Sequence, residues 1–283
     1  NAGYMTRRHA QALRDQFMMD LQAEAGQPAV SGRHAHLFIN GLYWGLYNVH
    51  ESPDDNWAAN HGGGEPEEYD WVKEGAVFAG NNYPFDHPRT PGSWKTAIEI
   101  ASNGLAVDDQ WGGVSSYEAL GEHIDLANYA DYMLLNFYGG NLDWPYQNWN
   151  ATKHARNSAA FSDVNPTARF EFQCWDSETT LNWNGVTAVN DGFYDRTFLG
   201  DTEDIANISF IYGRLKSNPE FRLLLADRAQ RLISPGGPLF VEPGAGAAGT
   251  PYEPGQNRPA DLYFERSLQI EDAVKLEYAR WAN

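Results

Sequence analysis

The segment Gly140-Asn141-Leu142-Asp143-Trp144-Pro145-Tyr146-Gln147-Asn148-Trp149 places an aspartate and an asparagine with four residues between them, between a helical pattern and a strand pattern. Phosphoryl transfer uses that pair in that setting: Asp143 to orient or deprotonate an acceptor hydroxyl, Asn148 to offer its amide oxygen to a magnesium ion. A hairpin later, Cys174-Trp175-Asp176-Ser177-Glu178 puts acidic groups at a strand end. There Asp176 would return to the neighbourhood of Asn148 as a second metal-ligating group. Two hard oxygen donors completed by nucleotide phosphates suit magnesium or manganese, which seldom require a full protein cage.

The same residues have other readings. Asp143 and Asn148 could be turn formers around Pro145. Asp143, Asp176 and Glu178 could pair as acid and base amid tryptophans, as in glycoside hydrolysis or sugar binding. Trp144, Trp149 and Trp175 fit core packing better than a ligand platform. His34 and His36, two apart on one strand face, could bind a metal but fit a solvated face better. His61-Gly62-Gly63-Gly64 could cradle phosphate, but with no strand before it and no helix after it the expectation is a flexible loop.

The elements that must position these groups follow from periodicity. Apolar residues at helical spacing predict an amphipathic helix over Thr6 to Ala25, stopped by Gly26 and Pro28. His34 to Ile39 and Leu42 to His50 read as strands around Asn40-Gly41, a strong hairpin signal. A polar, glycine-containing stretch separates these from a short strand ending at Lys73. Loop composition covers Asn81 to Gly92, with short helices expected over Ser93 to Asn103 and Ser115 to His123. Asp125 can cap a better helix that runs to Tyr138 and ends at Gly139-Gly140. Strands are expected over Trp149 to Arg156 and Arg169 to Cys174. Helices are expected over Asp204 to Ser217, Glu220 to Ile233 behind Asn218-Pro219, and Pro259 to Trp281. Ser234 to Asn257 reads as an irregular connection. Helices interleaved with hairpins indicate an α+β fold with a mostly helical C-terminal portion.

Composition narrows the classes. The chain has 283 residues and 42% hydrophobic content, enough for a substantial core. Acidic residues outnumber basic ones 38 to 20, a formal charge of −18 that disfavours nucleic acid or an anionic membrane as a partner. No apolar run approaches the roughly 20 residues of a spanning helix, so no membrane insertion is expected. The single cysteine, Cys174, rules out an intrachain disulfide and a CxxC pair.

The chain also resembles the CotH family of secreted and spore-coat protein kinases, and within it the bacterial surface-protein branch. The resemblance is carried by Arg8-His9-Ala10-Gln11 with Leu13-Arg14-Asp15-Gln16, by Leu37 through Tyr47 with Glu51, and by Tyr69-Asp70 with Lys73. It continues through Asp131 to Asn136, Gly140 to Pro145 with Asn148-Trp149, Trp175-Asp176, Asn218 to Arg222 and Ala279-Arg280-Trp281. It implies one atypical protein-kinase-like domain over 1–283. A truncated small lobe would occupy 1–80, a catalytic core 81–203 and a mostly helical region 204–283.

The resemblance assigns Asp143 as the catalytic aspartate, with Asn148 and Asp176 as the metal-binding pair. It places Glu51 on the adenine side of the cleft, and Arg14 and Lys73 as cations that offset phosphate charge. The implied activity is transfer from ATP with Mg2+ or Mn2+ to a protein substrate, at a secreted or cell-surface location. Relatives carry strands before the Arg8 helix, one of them bearing a phosphate-binding lysine. The chain starts at Asn1, so the expectation includes a fragment or a reduced form, with a catalytically impaired nucleotide-binding module as the alternative.

Overall fold

The computed structural model describes residues 12–73, 93–154, 168–181, 203–245 and 253–281, together with the backbone of the short strand 85–87. The order is α1 (Arg14–Glu24), β1 (Gly32–Ile39), β2 (Leu42–His50), α2 (Asp55–Gly62), a 3-10 turn (Pro66–Glu68), β3 (Tyr69–Lys73) and β4 (Phe85–His87). There follow α3 (Ser93–Asn103), β5 (Gln110–Trp111), β6 (Val114–Ser115), α4 (Ser116–Gly121), α5 (Leu126–Gly139), β7 (Trp149–His154) and β8 (Glu171–Cys174). Three helices close the chain: α6 (Ser209–Leu215), α7 (Pro219–Ile233) and α8 (Arg258–Trp281). The fold is α+β, as expected.

Strands β1 and β2 form an antiparallel ribbon. Its turn holds Asn40 at φ 51° and Gly41 at φ 77°, the paired positive angles that a two-residue hairpin of matching twist requires. A separate four-stranded antiparallel sheet runs β4-β3-β7-β8. Asp70 on β3 pairs in register with Lys153 on β7. Both side chains are buried, with Lys153 Nζ 3.7 Å from the Asp70 carboxylate and also bonded to Ser93. A one-residue slip would separate these buried charges, so their pairing specifies the register.

The core lies where α1, α3, α5, α6 and α7 pack around β7 and β8. Phe172 is its centre, with Trp94, Tyr129, Tyr132 and Trp149 ringed about it at centroid distances of 5.1–6.5 Å. These separations suit edge and tilted aromatic contacts. Trp144 and Trp149 are fully buried, in keeping with their reading as core residues.

Several expectations are corrected. The first helix begins at Arg14, because Ala12 takes φ 56° and Leu13 lies outside the helix; the expected portion at residues 6–11 lies outside the described residues. Nor is it amphipathic: Arg14, Gln16, Phe17, Met18, Met19, Leu21 and Gln22 are all buried, so it is a central helix. The polar stretch after His50 contains α2, capped by the Asp54 carboxylate accepting from Trp57 N–H at 3.0 Å. His61 and Gly62 are its last turn rather than a loop. In the region expected to be a helix from Asp204, only Ser209–Leu215 is α-helical.

The expected α5 and α7 are present with the expected caps. Asp125 accepts from Ala127 and Asn128, and Asn218 accepts from Glu220 and Phe221.

Candidate functional site

The site is built at one end of the four-stranded sheet. Trp149 pairs with Cys174, Asn150 with Gln173, and Lys73 with Asn150. That register delivers Asn148, Lys73 and the segment after Cys174 to the same sheet end. Ahead of it, α5 ends at Gly140 with φ 56°, a left-handed terminus that releases the chain into the Asp143 loop.

Among the described residues β8 is an edge strand, and side-chain amides line its open edge. Gln22 of α1 donates to Phe172 O and accepts from Cys174 N–H, both at 2.6 Å. Asn128 of α5 accepts from Phe172 N–H at 2.6 Å. Two helices thereby hold the strand that carries Asp176 at its end, and its buried backbone groups are satisfied.

Within the loop, Asn148 donates through Nδ2 to the Asp143 carbonyl at 3.0 Å and to the Asp143 carboxylate at 3.1 Å. Gln147 also donates to that carboxylate. Thr179 joins the two segments. Its hydroxyl accepts from Asp143 N–H at 3.0 Å and donates to Asn141 at 3.1 Å, and its carbonyl accepts from Leu142 N–H at 3.3 Å.

Asn148 and Asp176 both hold left-handed backbone, at φ 60° and 49°. Such angles are uncommon outside glycine, and they cluster where surrounding structure imposes a functional geometry.

The electrostatics follow from crowding of acids. Asp176 is exposed on one side; the chain packed around it, and then the nearby Asp143 charge, push its carboxyl up, against the pull of His50. Local packing and the Asp176 charge raise Glu178 likewise, against Arg14 and His50. Asp15 is pushed up to about 6: burial raises it, the Ser177 N–H and His50 lower it, and Asp176 and Glu178 raise it again.

The residues expected at the site therefore separate. Asp143 and Asn148 are directly bonded, and Thr179 ties their loop to the segment of Asp176, whose carboxyl the Asp143 charge helps push up. Arg14, buried at the start of α1, reaches the cluster through Glu178; burial lowers its pKa, while Tyr263 and Glu178 act to raise it. Lys73 lies over the Trp71 ring at 5.7 Å, on the strand position that pairs with Asn150. Glu51 is engaged elsewhere. It accepts from Ser31 N–H, Trp57 Nε1 and His61 Nε2 at 3.0–3.2 Å. Burial would raise its pKa, but these donors outweigh it and leave the carboxyl below its usual value. Among the described residues, none of its hydrogen bonds reaches Asp143, Asn148 or Asp176.

His34 bonds the Ala12 carbonyl and His36 meets the Tyr43 hydroxyl. Among the described residues no three His, Cys, Asp or Glu side chains are grouped to hold a metal ion. The donor set at the loop still fits one. The Asn148 nitrogen is committed to Asp143, leaving its amide oxygen to offer, and the crowded Asp176 carboxylate is a hard ligand whose repulsion a dication would relieve.

Sequence reasoning misses Asp15, His50, Thr179 and Gln22. Thr179 and Gln22 carry no motif. The Leu13-Arg14-Asp15-Gln16 run is visible, but nothing local tells Asp15 from a helix-surface acid.

A family model described as CotH kinase protein matches residues 8–235. The chain belongs to the CotH family. No curated protein matches it.

Proposed function

We propose that the chain is the phosphotransferase domain of a protein kinase of this family, moving a phosphoryl group from ATP to a protein hydroxyl. The observation that carries the reading is the bonded Asp143–Asn148 pair, on a loop that Thr179 cross-ties to the segment carrying Asp176.

Asp143 is the group that accepts or orients the hydroxyl proton of the incoming substrate. Gln147 and Asn148 hold its carboxylate in place, so little reorganisation remains for the reacting complex. Asn148 and Asp176 are the residues that would hold Mg2+ or Mn2+. Bound there with ATP, the ion supplies charge neutralisation on the phosphates. Lys73 and Arg14 add positive charge in a chain of net charge −18. Glu51, its carboxylate held by Ser31, Trp57 and His61 at the β2–α2 junction, is assigned to the adenine side by the family resemblance alone.

The kinase-like division into a small and a large lobe and the secreted or surface setting belong to the same reading. No helix among the described residues is long and apolar enough to cross a membrane. Sugar chemistry is disfavoured because Trp144 and Trp149 are fully buried and the half-buried Trp175 is already packed against the His50 ring at 5.1 Å.

The test is transfer of labelled phosphate from ATP to the chain itself or to a generic protein acceptor, with Mg2+ or Mn2+. Asp143→Ala and Asp176→Ala should each reduce labelling by at least about a hundredfold. Labelling that survives both substitutions refutes these roles. Thermal stabilisation by Mg-ATP without any transfer would identify a nucleotide-binding module instead.

A further inference from the structure

Asp176 is followed by Ser177, whose backbone N–H donates to Asp15 Oδ1 at 2.8 Å. Asp15 lies in the first turn of α1, and its other carboxylate oxygen is 3.9 Å from His50 Nε2. His50 ends β2, bonds the Glu51 carbonyl through Nδ1 at 2.9 Å, and meets the edge of Trp175 at a centroid distance of 5.1 Å. Trp175 and Ser177 are the two residues flanking Asp176, so both neighbours of the proposed metal ligand are held from the same corner.

The corner itself is tight. Gly32 pairs with His50 across the ribbon. A Cβ at Gly32 would overlap the Gln16 side-chain oxygen and come within 2.8 Å of the His50 Cβ. The base of the ribbon is thus pressed against the first turn of α1, where Asp15 resides.

We infer that Asp15 and His50 are positioning residues for metal binding: Asp15 fixes the backbone beside Asp176 through Ser177, and His50 ties that hold to the base of the β1–β2 ribbon. This rests on the reading of Asp176 as a metal ligand. Its consequence is that divalent-ion affinity depends on the ribbon being seated on α1, although neither residue is itself assigned as a ligand. Losing a group that orients a metal ligand from behind typically costs about 10–100-fold in metal affinity.

The experiment is Mn2+ binding to the whole chain, read from the electron paramagnetic resonance signal of the free ion and, independently, from the Mn2+-induced quenching of Trp175 emission. The Trp175 signal is isolated by subtracting the Trp175→Phe variant. Asp15→Ala should weaken Mn2+ binding by about tenfold or more. Asp15→Asn keeps an oxygen acceptor for Ser177 and should stay within about threefold of the parent. His50→Ala should weaken binding by about threefold.

An Asn variant as weak as the Ala variant would mean that Asp15 acts only as a negative charge near the ion, and overturns the positioning role. So would unchanged affinity in Asp15→Ala. If that variant does not fold, unchanged affinity in His50→Ala overturns the pair. Failure of the underlying reading looks different: the parent does not bind Mn2+, or Asp176→Ala binds it as the parent does, and the inference falls with it.

Discussion

At the residue scale, the site crowds acids together, and burial of a carboxylate has a pH signature outside the site as well. Glu171, the first residue of β8, is half-buried; burial, with the Asp125 charge behind it, pushes its carboxyl from 4.5 up to about 7. A raised carboxyl binds its proton more tightly in the folded state than in the unfolded one. Stability from this group is therefore fully present below 4.5 and lost as pH rises towards about 7. Glu171→Gln removes the ionisation and should leave the melting temperature unchanged at the acidic end. Above neutrality it should raise it by about 2–4 °C per kcal/mol regained. A thermal scan across pH checks this, and a melting difference independent of pH would show that Glu171 ionises without cost. Cys174 behaves in the opposite sense to a reactive thiol: buried among aromatics, its thiol is pushed up and held neutral.

At the scale of elements, β8, which ends two residues before Asp176, is only four residues long and has one strand neighbour among the described residues. Its other edge depends on the amides of Gln22 and Asn128. Gln22→Ala leaves Cys174 N–H without its acceptor and strips a donor from Phe172 O, and should cost about 2–4 kcal/mol in chemical denaturation. Gln22→Glu keeps the acceptor but loses the donor and brings a buried charge, so it should not rescue; a neutral Gln22→Ala would show that β8 does not rely on this bond.

This dependence also explains what can be read in advance. The ribbon, α5 and α7 are legible because their signals are local: Asn40-Gly41, the Asp125 cap with Gly140, and Asn218-Pro219. The placement of Asp143 and Asn148 in one loop between α5 and β7 is legible because spacing and flanking elements suffice. The character of α1 is not, because its buried polar residues meet β8 about 150 positions away, a pairing no window can contain. In α2 the glycines at 62–64 outweigh the Asp54 cap and hide the helix. Asp15 and Thr179 stay hidden for the same reason as Gln22: their partners are brought to them only by the completed fold.

At the scale of the whole molecule, the ribbon is a lightly supported element. A two-stranded hairpin is marginal by itself, and this one leaves Phe38, Leu42 and Val49 more than half exposed. Its base is pressed against α1, and its middle is held by the long α8. Glu277 of α8 accepts from the Tyr43 hydroxyl at 2.7 Å and from Leu46 N–H at 2.6 Å. Burial, followed by the Glu277 bond, pushes the Tyr43 hydroxyl up to about 12. At its other end α8 is clamped to α1, with Arg266 bidentate on Asp20 at 2.6 and 2.7 Å and Arg258 paired with Glu24. One helix therefore ties the ribbon to the helix that also supports β8 and Asp15. Cutting the tie at its far end, with Glu277→Ala, should speed hydrogen exchange of the Leu46 amide by about tenfold or more while amides of α5 keep their protection. The Tyr43 hydroxyl should titrate at lower pH in the same variant. If Leu46 exchange is unchanged, α8 does not hold the ribbon in solution, and the junction at Gly32, His50 and Asp15 must carry it alone.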